Sequence, residues 1–153
     1  MSGDWPVADL DPVRRLAVLA ATVPGGAIVV EEVIDAPFER VWAVAADLEH
    51  ELPQLLRNVR SLRVVESAGE HLVAEAAGHF GLRDRFDIVL RPGWCVMQSS
   101  RAVGGMAALA EGERTRFAFF GGLRVPGSRL LARVGRPLGP GVVRRLRQRV
   151  DLR

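Results

Sequence analysis

The chain predicts an α+β domain, a curved antiparallel sheet of about seven strands wrapped around a long C-terminal helix, with one extra helix at the N-terminus. Three observations lead there. The first 57 or so residues alternate between helical stripes and one β-branched run. From residue 58 onward short extended segments follow one another, separated by Gly and Pro turn signals, as in an antiparallel meander. The last 26 residues return to a helical period. With 153 residues, 48% hydrophobic and 25% charged, the chain fits one domain with a real core.

The first helix begins with Asp11 as N-cap and Pro12 in the first turn, and Val13, Leu16, Ala17 and Ala20 share one face. The segment RRLAVLAATVPGGA superficially resembles an export signal. Asp4, Asp9 and Asp11 stand where positive charge is required, however, and the apolar run soon reaches Pro24-Gly25-Gly26. No apolar run reaches the length of a membrane span, so the expected location is cytoplasmic. AIVVEEVI reads as a strand, and PFERVWAVAADLEH as a helix whose stripe is Val41, Trp42 and Ala45. A short helix is expected around Pro53–Arg57. Six strands follow: NVRSLRVVES, EHLVAEAAGHF, LRDRFDIVL, WCVMQSSRAV, MAALAE and RTRFAFFGGL. Their expected turns are Ala68-Gly69, Gly81, Pro92-Gly93, Gly104-Gly105 and Glu111-Gly112. The final helix takes Ser128 as its N-cap, and Pro137 and Gly139-Pro140 should kink or split it.

Composition removes several chemistries. All 21 basic residues are arginine, and the chain has neither lysine nor tyrosine. A Schiff-base lysine and a tyrosine acid are therefore impossible. Cys95 alone cannot form a disulfide framework, and His50, His71 and His79 lack metal-ligand spacing, so neither a metal nor another cofactor is expected.

Strand alternation places Leu82, Asp84, Phe86, Ile88 and Leu90 on the inner face, with Asp84 the misfit. A type II turn at Pro92-Gly93 would pair Leu90 with Cys95, Ile88 with Met97 and Phe86 with Ser99. The same register sets Asp84 opposite Arg101, an expected carboxylate–guanidinium pair at one end of an apolar wall. Thr115, Phe117, Phe119, Gly121 and Leu123 extend that wall, with Met106, Ala108 and Ala110, and Leu72, Ala74, Ala76 and Gly78, from neighbouring strands. The small residues would either leave a cavity or let the long helix pack closely.

The stretch IDAPFERVWAVAADLEHELPQLLRNVRSLRVVES resembles the opening of the START-like, Bet v 1-like helix-grip superfamily, most closely its bacterial polyketide cyclase branch. The matching features are Ala36-Pro37, Val41-Trp42, Asp47, Pro53 and the following strand; RTRFAFFGGLRVPG and the terminal helix fit the same template. The resemblance implies an N-terminal extension over 1–26 and a helix-grip domain over 27–153, holding a hydrophobic ligand between sheet and helix.

Three functions compete at this level. A cyclase or aromatase would use Arg101 to polarise a carbonyl, with Asp84 orienting it, above a ligand wall of Phe86, Ile88, Leu90, Met97, Ser99, Met106, Phe117 and Phe119. The cavity-facing arginine of that branch is replaced by Leu90, since Arg91 faces away, and its aromatic-rich helix entry is replaced by Glu51, Leu52 and Val59. A non-catalytic carrier or sensor for a hydrophobic or aromatic metabolite needs only the cavity and one anchoring charge. Binding to nucleic acid or another anionic surface would use the eight arginines of 129–153, although Val142, Val143, Leu146 and Val150 form the buried stripe and no aromatic interleaving accompanies the charges. Cys95 reads as a small hydrophobe, His79 as a loop histidine near the cavity rim and Trp42 as core.

Overall fold

The structure, a computed structural model, describes residues 10–124 and 138–153. In chain order it contains α1 (Pro12–Ala21), β1 (Ile28–Ile34), α2 (Phe38–Ala45), α3 (Leu52–Leu55), β2 (Ser61–Ala68), β3 (His71–Ala77), β4 (Arg83–Arg91), β5 (Trp94–Gln98), β6 (Ala102–Glu111), β7 (Arg114–Leu123) and α4 (Leu138–Asp151). The strands form one seven-stranded antiparallel sheet in the order β1-β7-β6-β5-β4-β3-β2. Every neighbouring pair except β1 and β7 is also consecutive in sequence, so the meander is continuous and β1 closes its far edge.

The sheet is covered on both faces. On the inner face α2, α3 and α4 pack over one apolar cluster that includes Val41, Trp42, Leu55, Ile88, Met106, Phe117, Val143 and Leu146. On the outer face α1 packs Val13, Leu16 and Ala20 against Ala107, Ala118, Phe120 and Trp94. Asp11 caps α1 through its carboxylate, which accepts from the Arg14 amide at 2.9 Å. Two guanidiniums, Arg15 from α1 and Arg91, lie over the Trp94 ring, each 5.9 Å from its centre.

Several sequence expectations are corrected. Ala17 is exposed, because the α1 stripe that meets the sheet is only Val13, Leu16 and Ala20. The short third helix begins at Leu52 rather than Pro53 and ends at Leu55. Pro53 sits within its first turn, where its missing N–H costs nothing. The Pro92-Gly93 turn forms with Gly93 at φ +75°, as its type requires, and β4 and β5 pair in the expected register. The next turn, however, falls at Ser99–Arg101, so Gly104-Gly105 lies inside β6 rather than between strands. Leu82 and Leu123 are exposed by 60% and 40%, and Ala110 is also exposed, because each lies near a strand end beyond the covering helices. Gly139-Pro140 lies in the first turn of α4; the expected cap at Ser128 and break at Pro137 lie outside the described residues.

Candidate functional site

Two glycine pairs on adjacent strands create the site. Gly104 of β6 stands directly opposite Gly121 of β7, and both face inward. A Cβ at Gly121 would meet only the Phe119 ring, at 3.7 Å, so space lies above it. Gly105 and Gly122, one residue further on, face outward. A Cβ at Gly105 would come within 3.0 Å of Leu16, and one at Gly122 within 3.0 Å of Val23 and the Gly26 carbonyl, so these glycines let α1 and the turn after it approach the sheet. Successive glycines thus do opposite work because successive strand residues face opposite sides.

Above the inner pair lies a cavity of about 300 Å³. Its sheet wall is formed by Phe86, Met97, Met106, Phe119 and Gly121, and its helical wall by Leu52, Leu56, Val59, Val142, Arg57 and Arg145. The lining is dominated by apolar, aromatic and thioether groups, a surface suited to flat hydrophobic molecules. Cys95 lines the cavity too, and burial pushes its thiol up to about 12, far from thiolate reactivity near neutrality. A second, more polar depression of about 600 Å³ lies on the outer face between the end of α1 and β3–β5, bordered by Asp87, Gln98 and Arg124.

Of the sequence-predicted wall, Phe86, Met97, Met106 and Phe119 line the cavity, whereas Ile88, Leu90 and Phe117 sit in the packed core beside it. The expected Asp84–Arg101 ion pair is not made. β5 stops at Gln98, so the chain bends before Arg101 can continue the ladder and its side chain faces solvent. Ser99 takes the position instead: its hydroxyl donates to Asp84 Oδ2 at 2.5 Å and accepts from the amides of Arg101 and Ala102. Asp84 therefore staples the β5–β6 turn to β4.

Two residues that the sequence reading passed over complete the helical wall. Arg145 is half-buried; its Nε donates to the Leu55 carbonyl at 2.8 Å. Desolvation, and then the positive charges of Arg57 and Arg144, pull its pKa below the usual arginine value. Arg57 follows α3, and its carbonyl accepts from His79 Nε2 at 2.9 Å, so the His79 loop steadies the rim. The signal for Arg145 was present: counting i, i+3, i+7 from buried Val142 reaches Arg145 and Arg149, at the margin of the stripe rather than on the opposite face. Of the other arginines of α4, Arg144 is exposed and makes no ion pair among the described residues. Arg147 pairs with Glu32, and Arg149 and Arg153 pair with Glu51.

Comparison with known proteins places this architecture. A Thermus thermophilus protein, TTHA0849, is 24% identical over 82% of this chain and 97% of its own, with a TM-score of 0.65. The Zhui aromatase/cyclase of Streptomyces sp. R1128 is 14% identical over 82% and 93% of the two chains, with a TM-score of 0.63. A START superfamily protein of Mycobacterium smegmatis is 11% identical over 82% and 97%, with a TM-score of 0.60. The chain has the START-like helix-grip fold, shared with polyketide aromatase/cyclases. No family model matches its sequence, and neither does any curated protein.

Proposed function

We propose that this chain binds a hydrophobic, aromatic small molecule, polyketide-like in character, in the cavity between the sheet and α3–α4. The observation that carries the reading is Gly121, facing inward opposite Gly104, which leaves space unfilled on a wall otherwise made of Phe86, Met97, Met106 and Phe119. A packed core would place side chains there. The likeness to an aromatase/cyclase favours a ligand of that chemical kind.

Binding is favoured over catalysis by the lining itself. Among the described residues it contains no carboxylate and no imidazole, so it offers no base for enolising a ketone. With Asp84 engaged by Ser99 and Arg101 in solvent, the pair that would have polarised a carbonyl is not assembled. The chain reads as a carrier, sensor or accessory protein.

The test is titration with 1-aminoanthracene, followed by its fluorescence, in the native protein and in Gly121→Leu. The native protein should bind saturably. Filling the space above Gly121 should weaken binding by about tenfold or more while the thermal midpoint stays near the native value. Equal affinity in the two proteins would place the ligand elsewhere and overturn the reading.

A further inference from the structure

The cavity has a chemical polarity that its apolar lining conceals. Its sheet side carries rings, thioethers and glycines, whereas its two arginines, Arg57 and Arg145, both belong to the opposite wall near the end of α3. Among the described residues neither arginine pairs with a carboxylate, although Arg147 and Arg149 of α4 and Arg153 just beyond it do. Acids are therefore within reach of this end of the fold; among these residues Arg144 also lacks one, but it is exposed and does not line the cavity.

Arg145 is also held in place. Its Nε is committed to the Leu55 carbonyl, which fixes the plane of the guanidinium and leaves the Nη1–Nη2 edge to other partners. The group lies back over Gly141, one turn earlier, where even a Cβ would come within 2.7 Å of Nη1. Glycine at this position makes room for it. Two like charges close enough to disfavour each other, one of them partly desolvated, are an unfavourable arrangement for the empty protein. An anion between them would relieve both the repulsion and the loss of hydration.

We infer that the ligand is an aromatic carboxylic acid, its rings lying over the Gly104–Gly121 floor and its carboxylate held by the Arg145 Nη edge and Arg57. The inference rests on the binding reading above and adds the headgroup. A carboxylate suits the planar two-nitrogen edge that Arg145 offers, and the cavity size suits about two to three fused rings.

The experiment compares 2-naphthoate with 2-naphthol at neutral pH by calorimetry, in the native protein and in Arg145→Gln and Arg57→Gln. Glutamine at 145 can still donate to the Leu55 carbonyl, and Arg57 makes no side-chain hydrogen bond among the described residues, so the second variant covers any folding defect of the first. The native protein should prefer the acid over the alcohol by about tenfold or more. Each variant should lose most of that preference while its affinity for the alcohol stays within about twofold. Equal binding of acid and alcohol by the native protein would overturn the headgroup assignment and leave the cavity reading standing. A preference retained in both variants would do the same. Binding of neither probe would overturn the cavity reading and the headgroup with it.

Discussion

Glu51 is a carboxylate only 2% exposed in a protein whose only cations, apart from histidine and the chain terminus, are arginines. It accepts from Arg149 at 2.7 and 3.2 Å and from Arg153 at 3.0 Å, joining the start of α3 to the last turn of α4. The Arg149 hydrogen bond lowers its pKa below the usual carboxylate value despite the opposing effect of burial. Desolvation likewise raises Asp47, but hydrogen bonds from His50 and Arg153 outweigh it and the net direction is down. Groups with depressed folded pKa values contribute stability above their unfolded values, here 4.5 and 3.8, and lose it as pH falls through the folded ones. Glu51→Gln should therefore cost about 1–3 kcal/mol at pH 7, discounted because both arginines reach solvent, and should flatten the acid limb of the stability profile below about pH 4.5. Urea denaturation from pH 3 to 7 measures both effects. An acid limb as steep as that of the native protein would show that other carboxylates set it.

At the scale of elements, the β6–β7 ribbon decides how two layers sit on one sheet. Gly105→Ala places a Cβ 2.8 Å from the Cys95 carbonyl oxygen and from the Phe120 ring and 3.0 Å from Leu16 Cδ1, so the neighbouring strand and the packing beneath α1 must shift. The expected cost is about 1–3 kcal/mol in chemical denaturation. Gly121→Ala, on the inward face of the partner strand, meets only the Phe119 ring at ordinary contact distance and should change stability by less than about 0.5 kcal/mol. Similar losses in both variants would contradict the assignment of opposite faces. Both glycine pairs were visible in the sequence. Gly104-Gly105 read as a turn because glycine marks loops far more often than strand interiors, and no local pattern distinguishes a turn from a close approach by another element. The true turn, Ser99–Arg101, contains no glycine or proline; Ser99 makes it by giving its hydroxyl to Asp84 and taking two backbone amides.

For the whole molecule, sheet and helices line a partly open cavity whose wall includes the single cysteine. Cys95 is fully buried, with its thiol pushed up to about 12 by that burial. At pH 8 a disulfide reagent should leave the folded protein unmodified over the time in which the urea-unfolded chain reacts completely. Bound 1-aminoanthracene should slow any residual reaction further. Rapid modification of the folded protein would mean that the cavity opens widely and often. No helix among the described residues is long and apolar enough to cross a membrane.

The sequence by itself determined the order of elements, the meander, the β4–β5 register, the Asp11 cap and the inward run from Asp84 to Leu90. Each of these is set by contacts within a few residues, or by the two-residue period of a strand and the geometry of one turn. Only the tertiary structure decided that Asp84 meets Ser99 instead of Arg101, because the chain direction after Gln98 depends on where β6 finds β7. It alone decided that the glycines of β6 and β7 divide between a cavity and a docked helix. It also sorted the arginines of α4 into Arg147 and Arg149, which Glu32 and Glu51 neutralise, Arg144, which stays exposed, and Arg145, which lines the cavity. A side chain's charge is written in the sequence, but whether a partner reaches it depends on distances across the fold.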